Sequence, residues 1–195
     1  MSAKIQVGPL LGLESDALYT ICFSTDKSVT EAQVNLNGHS RAASKVGETG
    51  SSFFWRAEHT EAPHSSAKLV RYHVNLNGDQ AVNAQGQHDW TFYVPAADEK
   101  PRFAYASCNG FSSADLVNKT DTPYALWERL KRCHQEEPYS LLLMGGDQLY
   151  ADEMWGSVPS LKTWGKLSRS KKTSKRTTFT KTMAQQVERF YDDLY

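Results

Sequence analysis

No apolar run in this chain approaches the roughly 20 residues that a membrane-spanning helix requires, and the opening MSAKIQVGPLLGLESD lacks the long apolar core of a secretory signal. The reading excludes a membrane span and makes the cytoplasm the expected location. Net charge is also missing. Lys and Arg total 22 against 22 Asp and Glu, which removes any whole-chain attraction to nucleic acid or to an anionic membrane. Cysteine is scarce, since Cys22, Cys108 and Cys133 form an odd set without CxxC spacing. Neither a disulfide framework nor a zinc knuckle follows, and a reducing compartment is the simpler setting. Beyond Asp147 there is no Asn and no His. The 195 residues suffice for one ordinary domain or two small ones.

From Ile5 to about Val94 the chain is built from short alternating segments rich in Val, Tyr, Phe, Trp and Thr: ALYTICFS, EAQVNLNG, SFFWRAEHT, KLVRYHVNLNG and HDWTFYV. Most end in Asn-Gly, Gly or Pro turn signals, the pattern of a β-sandwich of immunoglobulin or fibronectin type. In KLVRYHVNLNG, Val70, Tyr72, Val74 and Leu76 share one face and Leu69, Arg71, His73 and Asn75 the other, as a half-buried strand requires. NLNG at 35–38 and again at 75–78 reads as a strand-ending turn. Trp55 and Trp90 are expected in the sandwich core, Cys22 and Cys133 as core residues, and the six histidines on the surface or in strands.

PAADEKPR, residues 95–102, places two prolines and four charges between apolar segments, the composition of a domain boundary. We therefore divide the chain into a sandwich over 1–98 and a second domain over 99–195. The second opens with RFAYASCNG, a buried strand. TPYALWERLKRCHQEE follows, with Ala125, Leu126, Arg129, Leu130 and Cys133 at helical spacing, Thr122 as N-cap and Pro123 at the first position. Strand, helix and strand make a βαβ unit, whose parallel strands end at one edge. Cys108 and Asp147 should then be neighbours. Eight basic residues from Lys162 to Lys181, with no acid between Glu153 and Glu188, read as a mobile surface loop. MAQQVERFYDDLY reads as a helix with Val187, Phe190 and Leu194 on one stripe.

The second strand of that unit carries the chemistry. In LLLMGGDQLYAD, residues 141–152, four apolar residues run into Gly145 and Gly146 and then present Asp147 and Tyr150. A short buried strand ending in this way places both side chains where α/β folds bind ligands. Asp147 as a simple turn cap is the competing reading. Cys108 after a strand is ordinarily a small buried hydrophobe, and no basic sequence neighbour marks it as a nucleophile. Asp152 and Glu153 read as solvated loop acids. Hard cations favour carboxylate oxygen, and a thiolate or phenolate adds charge suited to a ferric ion. Asp147, Tyr150 and Cys108 on one crevice make half of a metal site.

A strand ending in SCNG, then GGDQLYAD some forty residues later, after a small β-sandwich, resembles the alkaline phosphatase D (PhoD-like) family of metallophosphoesterases. The resemblance implies that the second part is the first portion of an α/β metallophosphoesterase domain. It also implies Asp147 as the bridge between two metal ions, with Tyr150 and Cys108 as ligands of the ferric one. The cofactors implied are Fe³⁺ and a second divalent ion, Ca²⁺, Mn²⁺ or Mg²⁺. The substrate implied is a small-molecule phosphate mono- or diester. Family members complete the second metal position with later Asn, His and Asp residues, and this sequence offers no Asn or His after Asp147. The chain is therefore expected to hold the first half of a site and to be inactive by itself. The rival expectation is a non-catalytic binding or interaction protein built on the sandwich.

Overall fold

The computed structural model describes residues 4–15, 17–62, 64–111, 114–148, 150–172 and 178–194. Mostly antiparallel sheets in a sandwich-like arrangement account for its first half. One sheet has the order β1 (Ile5–Leu13), β2 (Leu18–Asp26), β6 (Ser52–Thr60), β5 (Ser44–Glu48). The other has the order β4 (His39–Ala42), β3 (Ala32–Leu36), β7 (Lys68–Leu76), β8 (Asp79–Gln80), with β9 (Trp90–Val94) also paired to β7.

Sequence alternation sets which faces are buried. In β7, Val70, Tyr72, Val74 and Leu76 are buried, while Arg71 is exposed and His73 half-buried. In β3, Ala32, Val34 and Leu36 are buried and the intervening Gln33 and Asn35 are half-buried. With Ile5, Ile21, Val29 and Val34 almost fully enclosed, each such aliphatic side chain contributes about 1.5–3 kcal/mol by leaving water. Burial pushes the Tyr72 hydroxyl well above its ordinary range. Trp55 is buried and donates from Nε1 to Thr25 Oγ1 at 2.9 Å, which satisfies the polar edge of an otherwise apolar ring. Trp90 is only half-buried and stacks on Tyr72.

Both NLNG stretches are turns. Asn37 and Gly38 have φ of 46° and 86°, and Asn77 and Gly78 have 51° and 91°. Paired left-handed residues of this kind match the twist of a hairpin. Asn77 does more than turn the chain: its Oδ1 accepts from the backbone amides of Thr30 at 2.9 Å and Glu31 at 3.1 Å.

The second half contains a two-stranded parallel sheet of β10 (Phe103–Ala106) and β11 (Leu141–Met144). Between them lie α1 (Ala114–Lys119) and α2 (Ala125–Glu136). Four expectations need correction. The two strands are not buried: Phe103 and Tyr105 are 61% and 69% exposed, and Leu142, Leu143 and Met144 are exposed with Leu141 half-buried, because two parallel strands cannot by themselves bury both faces. Thr122 does not cap α2 through its side chain. The N-cap is Tyr124, and Thr122 supplies only its carbonyl to the Ala125 amide at 3.1 Å. Cys22 and Cys133 are half-buried, and α2 buries no residue at all.

The basic stretch, finally, is not a plain loop. It contains α4 (Pro159–Gly165) and α5 (Arg169–Lys172), preceded by α3 (Met154–Ser157); residues 173–177 lie outside the described set. Pro159 sits in the first turn of α4, where its missing amide costs nothing. The carboxyl-terminal helix α6 spans Lys181–Leu194, and Val187 and Phe190 pack on a small core of Val158, Leu161 and Met183. The side chain of Leu194 lies outside the described set.

By contact density the chain divides into one unit of Met1–Glu61, Arg71–Trp90 and Ala151–Tyr195 and another of Ala62–Val70 and Thr91–Tyr150. Within the first, Glu188 and Asp192 of α6 accept hydrogen bonds from the Gly50 amide and the Ser51 hydroxyl at 2.6 and 2.7 Å. Within the second, the segment 95–102 is held by Glu99, which accepts from the Tyr93 hydroxyl and from the Ala96 amide.

Candidate functional site

β10 and β11 run in register from Phe103–Leu141 to Ala106–Met144, so the loops that follow leave the sheet side by side. The ladder does not stop with the strands. Gly145 donates to Ala106 at 2.8 Å, Cys108 to the Gly146 carbonyl at 3.2 Å, and Asn109 to the Asp147 carbonyl at 2.9 Å. Two of these backbone bonds tie SCNG to GGD, and the first ties GGD to the end of β10.

The residues that matter sit where the backbone bends hardest. Cys108 and Asp147 have φ of 58° and 38°, a left-handed conformation uncommon for residues other than glycine and costing of order 1–3 kcal/mol. The paired loops hold both in place. Their side chains meet, with Cys108 Sγ 3.6 Å from Asp147 Oδ2, and both residues are exposed. As drawn, the thiol donates to the carboxylate.

Tyr150 approaches from the same loop. Its ring lies against Gly110, where a Cβ would fall 2.6 Å from Cδ2 and 2.7 Å from Cε2. Only glycine leaves room for that ring. Gly146, with φ of 51°, likewise suits a turn that side chains rarely adopt.

Two further residues shape the site and were not legible as site residues. Gln148 donates from Nε2 to the carbonyls of Gly145 and Gly146, both at 2.8 Å, bracing the turn that presents Asp147. Its Oε1 is buried with no hydrogen-bond partner among the described residues. Trp127 on α2 donates to Asn109 Oδ1 at 3.0 Å, orienting the residue next to Cys108. His134 accepts the Tyr139 amide on Nδ1 at 3.0 Å, and Arg102 lies over the Tyr139 ring and pairs with Glu137 at 3.3 Å. These contacts fasten the end of α2 to the starts of both strands. Asp152 and Glu153 are exposed turn residues.

The donor set suits one cation. Bonds of about 2.3 Å to sulfur and about 2.1 Å to oxygen place two ligands of a small ion roughly 3.1–3.6 Å apart for angles of about 90–109°. The observed sulfur–oxygen separation is at the upper end of that range. The set falls short of a complete centre: among the described residues no group of three or more His, Cys, Asp or Glu side chains comes together.

The family model for PhoD related phosphatase matches residues 81–195, more than half of the chain. The chain belongs to the PhoD related phosphatase family. The uncharacterized protein YGR266W of Saccharomyces cerevisiae is 29% identical over 112 residues, which cover 57% of this chain. This chain spans only 15% of that relative's length. Among solved structures, the type III pullulan hydrolase from Thermococcus kodakarensis matches 58% of this chain and 22% of its own, at 13% identity and a TM-score of 0.36. That score does not define a common fold.

Proposed function

We propose that residues 99–195 form the first portion of an α/β metallophosphoesterase domain acting on small-molecule phosphate mono- or diesters. The observation that carries the reading is the meeting of Cys108 and Asp147 on ladder-tied loops at the ends of parallel strands, within the segment matched by the family.

Asp147, Cys108 and Tyr150 would hold a ferric ion, and Asp147 would also face a second divalent ion, Ca²⁺, Mn²⁺ or Mg²⁺. When bound, such a pair supplies water activation and charge neutralisation at phosphorus. The protein's own part is positional. The Asn109–Asp147 backbone bond and the Gln148 brace hold the turn that carries Asp147 before any ligand arrives. Gly110 admits the Tyr150 ring against its own backbone. Both Cys108 and Asp147 are exposed and so open to a cation from solvent. A reducing, cytoplasmic setting belongs to this proposal.

The incomplete donor set supports the second reading, a non-catalytic binding protein built on the sandwich. Titration of the chain with Fe³⁺, alongside Asp147→Asn, separates the two. Saturable binding that the variant loses supports the phosphoesterase site; equal binding by both favours the interaction protein.

A further inference from the structure

α3, α4 and α6 line an open cavity of about 270 Å³ walled by Met154, Trp155, Leu161, Trp164, Met183 and Val187, among others. Every lining side chain is apolar. Its size is just below the roughly 300–1,000 Å³ of ordinary ligand pockets. Trp155 and Trp164 stack with ring centroids 6.1 Å apart, and Trp155 is 51% exposed. An open, two-tryptophan hollow of this kind gains by excluding water.

The surroundings narrow the occupant. Lys172 Nζ stands 4.9 Å above the Trp164 ring, Lys162 lies in the last turn of α4 and Lys166 is its C-cap. The sequence holds no acid between Glu153 and Glu188. An uncharged guest would use the apolar wall and make no use of Lys172. A guest with an apolar chain and an anionic head uses both, because lysine stems pack on apolar surface while their ammonium groups stay at the rim.

We propose that this cavity binds the alkyl chain of a single-chain anionic amphiphile, with the head group at Lys172. The inference does not rest on the metal site, and it assigns the basic stretch a local ligand rather than a general attraction.

The test titrates the 195-residue chain with dodecyl phosphate, kept below its micelle concentration, and follows tryptophan fluorescence. Dodecanol and inorganic phosphate serve as the chain-only and head-only probes. Saturable binding of dodecyl phosphate about tenfold tighter than dodecanol is expected, the factor that about 1.4 kcal/mol of charge pairing represents, with no response to phosphate alone. Lys172→Gln, a rim change that leaves the wall intact, should reduce dodecyl phosphate to the level of dodecanol. Met183→Trp should fill the cavity and abolish both. Equal affinity for dodecyl phosphate and dodecanol, or no effect of Lys172→Gln, would overturn the proposal. So would binding to phosphatidylserine vesicles with none to the monomeric probe.

Discussion

The backbone amide of Asn109 donates to the carbonyl of Asp147 at 2.9 Å, three residues beyond the Ala106–Met144 pair that ends the β10–β11 ladder. Through this bond and its neighbour from Cys108 to Gly146, two loops separated by the whole of α2 are held as one piece. Left-handed conformations at Cys108 and Asp147 then become tolerable, and two side chains far apart in sequence face each other at 3.6 Å.

Gly110→Val places a branched side chain where the Tyr150 ring now lies. The site is exposed, so the ring should swing away and the chain stay folded. Thermal unfolding of the variant should follow that of the wild type within a few degrees, while any iron-dependent visible absorption disappears. Retention of that absorption would place Tyr150 outside the metal's reach.

Much of this architecture was legible in the sequence. The buried face of β7 follows directly from alternation of Val70, Tyr72, Val74 and Leu76 with polar residues, and the two Asn-Gly turns follow from their need for positive φ. The adjacency of Cys108 and Asp147 follows from strand–helix–strand connectivity. Burial of LLLM did not follow, because four apolar residues are covered only if other elements pack on them. The helices within the basic stretch escaped because charge composition says little about the apolar spacing of Val158, Leu161 and Trp164. Gln148 could not be read as a brace, since its partners are backbone carbonyls that exist only once the turn has formed.

Trp55→Phe removes the indole N–H that Thr25 Oγ1 accepts inside the sandwich. Thr25 still donates to the Asp26 carbonyl at 3.0 Å, which limits the penalty for its hydroxyl. Urea unfolding should show a loss of about 1–2 kcal/mol. No loss would mean that the bond contributes nothing beyond what water offers.

The segment 95–102 should respond to pH through Glu99. The Tyr93 hydroxyl, and then the Ala96 amide, hold its carboxyl below the ordinary carboxylate range. A depressed carboxyl stabilises the structure above the unfolded pKa of about 4.3, and the contribution is lost as pH falls through the lower folded value. The Ala96 amide resonance should therefore shift below about pH 4.3, and Glu99→Gln should abolish that titration. A resonance unmoved in the wild type would refute the tether.

The border proposed at 98/99 predicts where a protease cuts. Limited digestion at neutral pH should open residues 95–101 first and leave a resistant sandwich of roughly one hundred residues, with Glu99→Gln cut faster. A single resistant core spanning the segment would contradict the division.

Ligand counting predicts a lack of turnover. Phosphoester hydrolysis of this type uses two ions, and the proposed ligands Asp147, Cys108 and Tyr150 would serve one. Residues 1–195 should cleave a chromogenic phosphodiester no faster than the Asp147→Asn variant. Chelator-sensitive turnover that Asp147→Asn removes would show that residues assigned to the surface build a second metal position.

The central claim is that Cys108, Asp147 and Tyr150 together hold one ferric ion. Visible absorption of the purified chain in excess Fe³⁺, compared with Tyr150→Phe, tests it most directly. The account predicts a phenolate-to-iron band in the wild type, absent in Tyr150→Phe, and weaker iron retention in Cys108→Ser. A colourless wild type with iron bound, or an unchanged band in Tyr150→Phe, would contradict it.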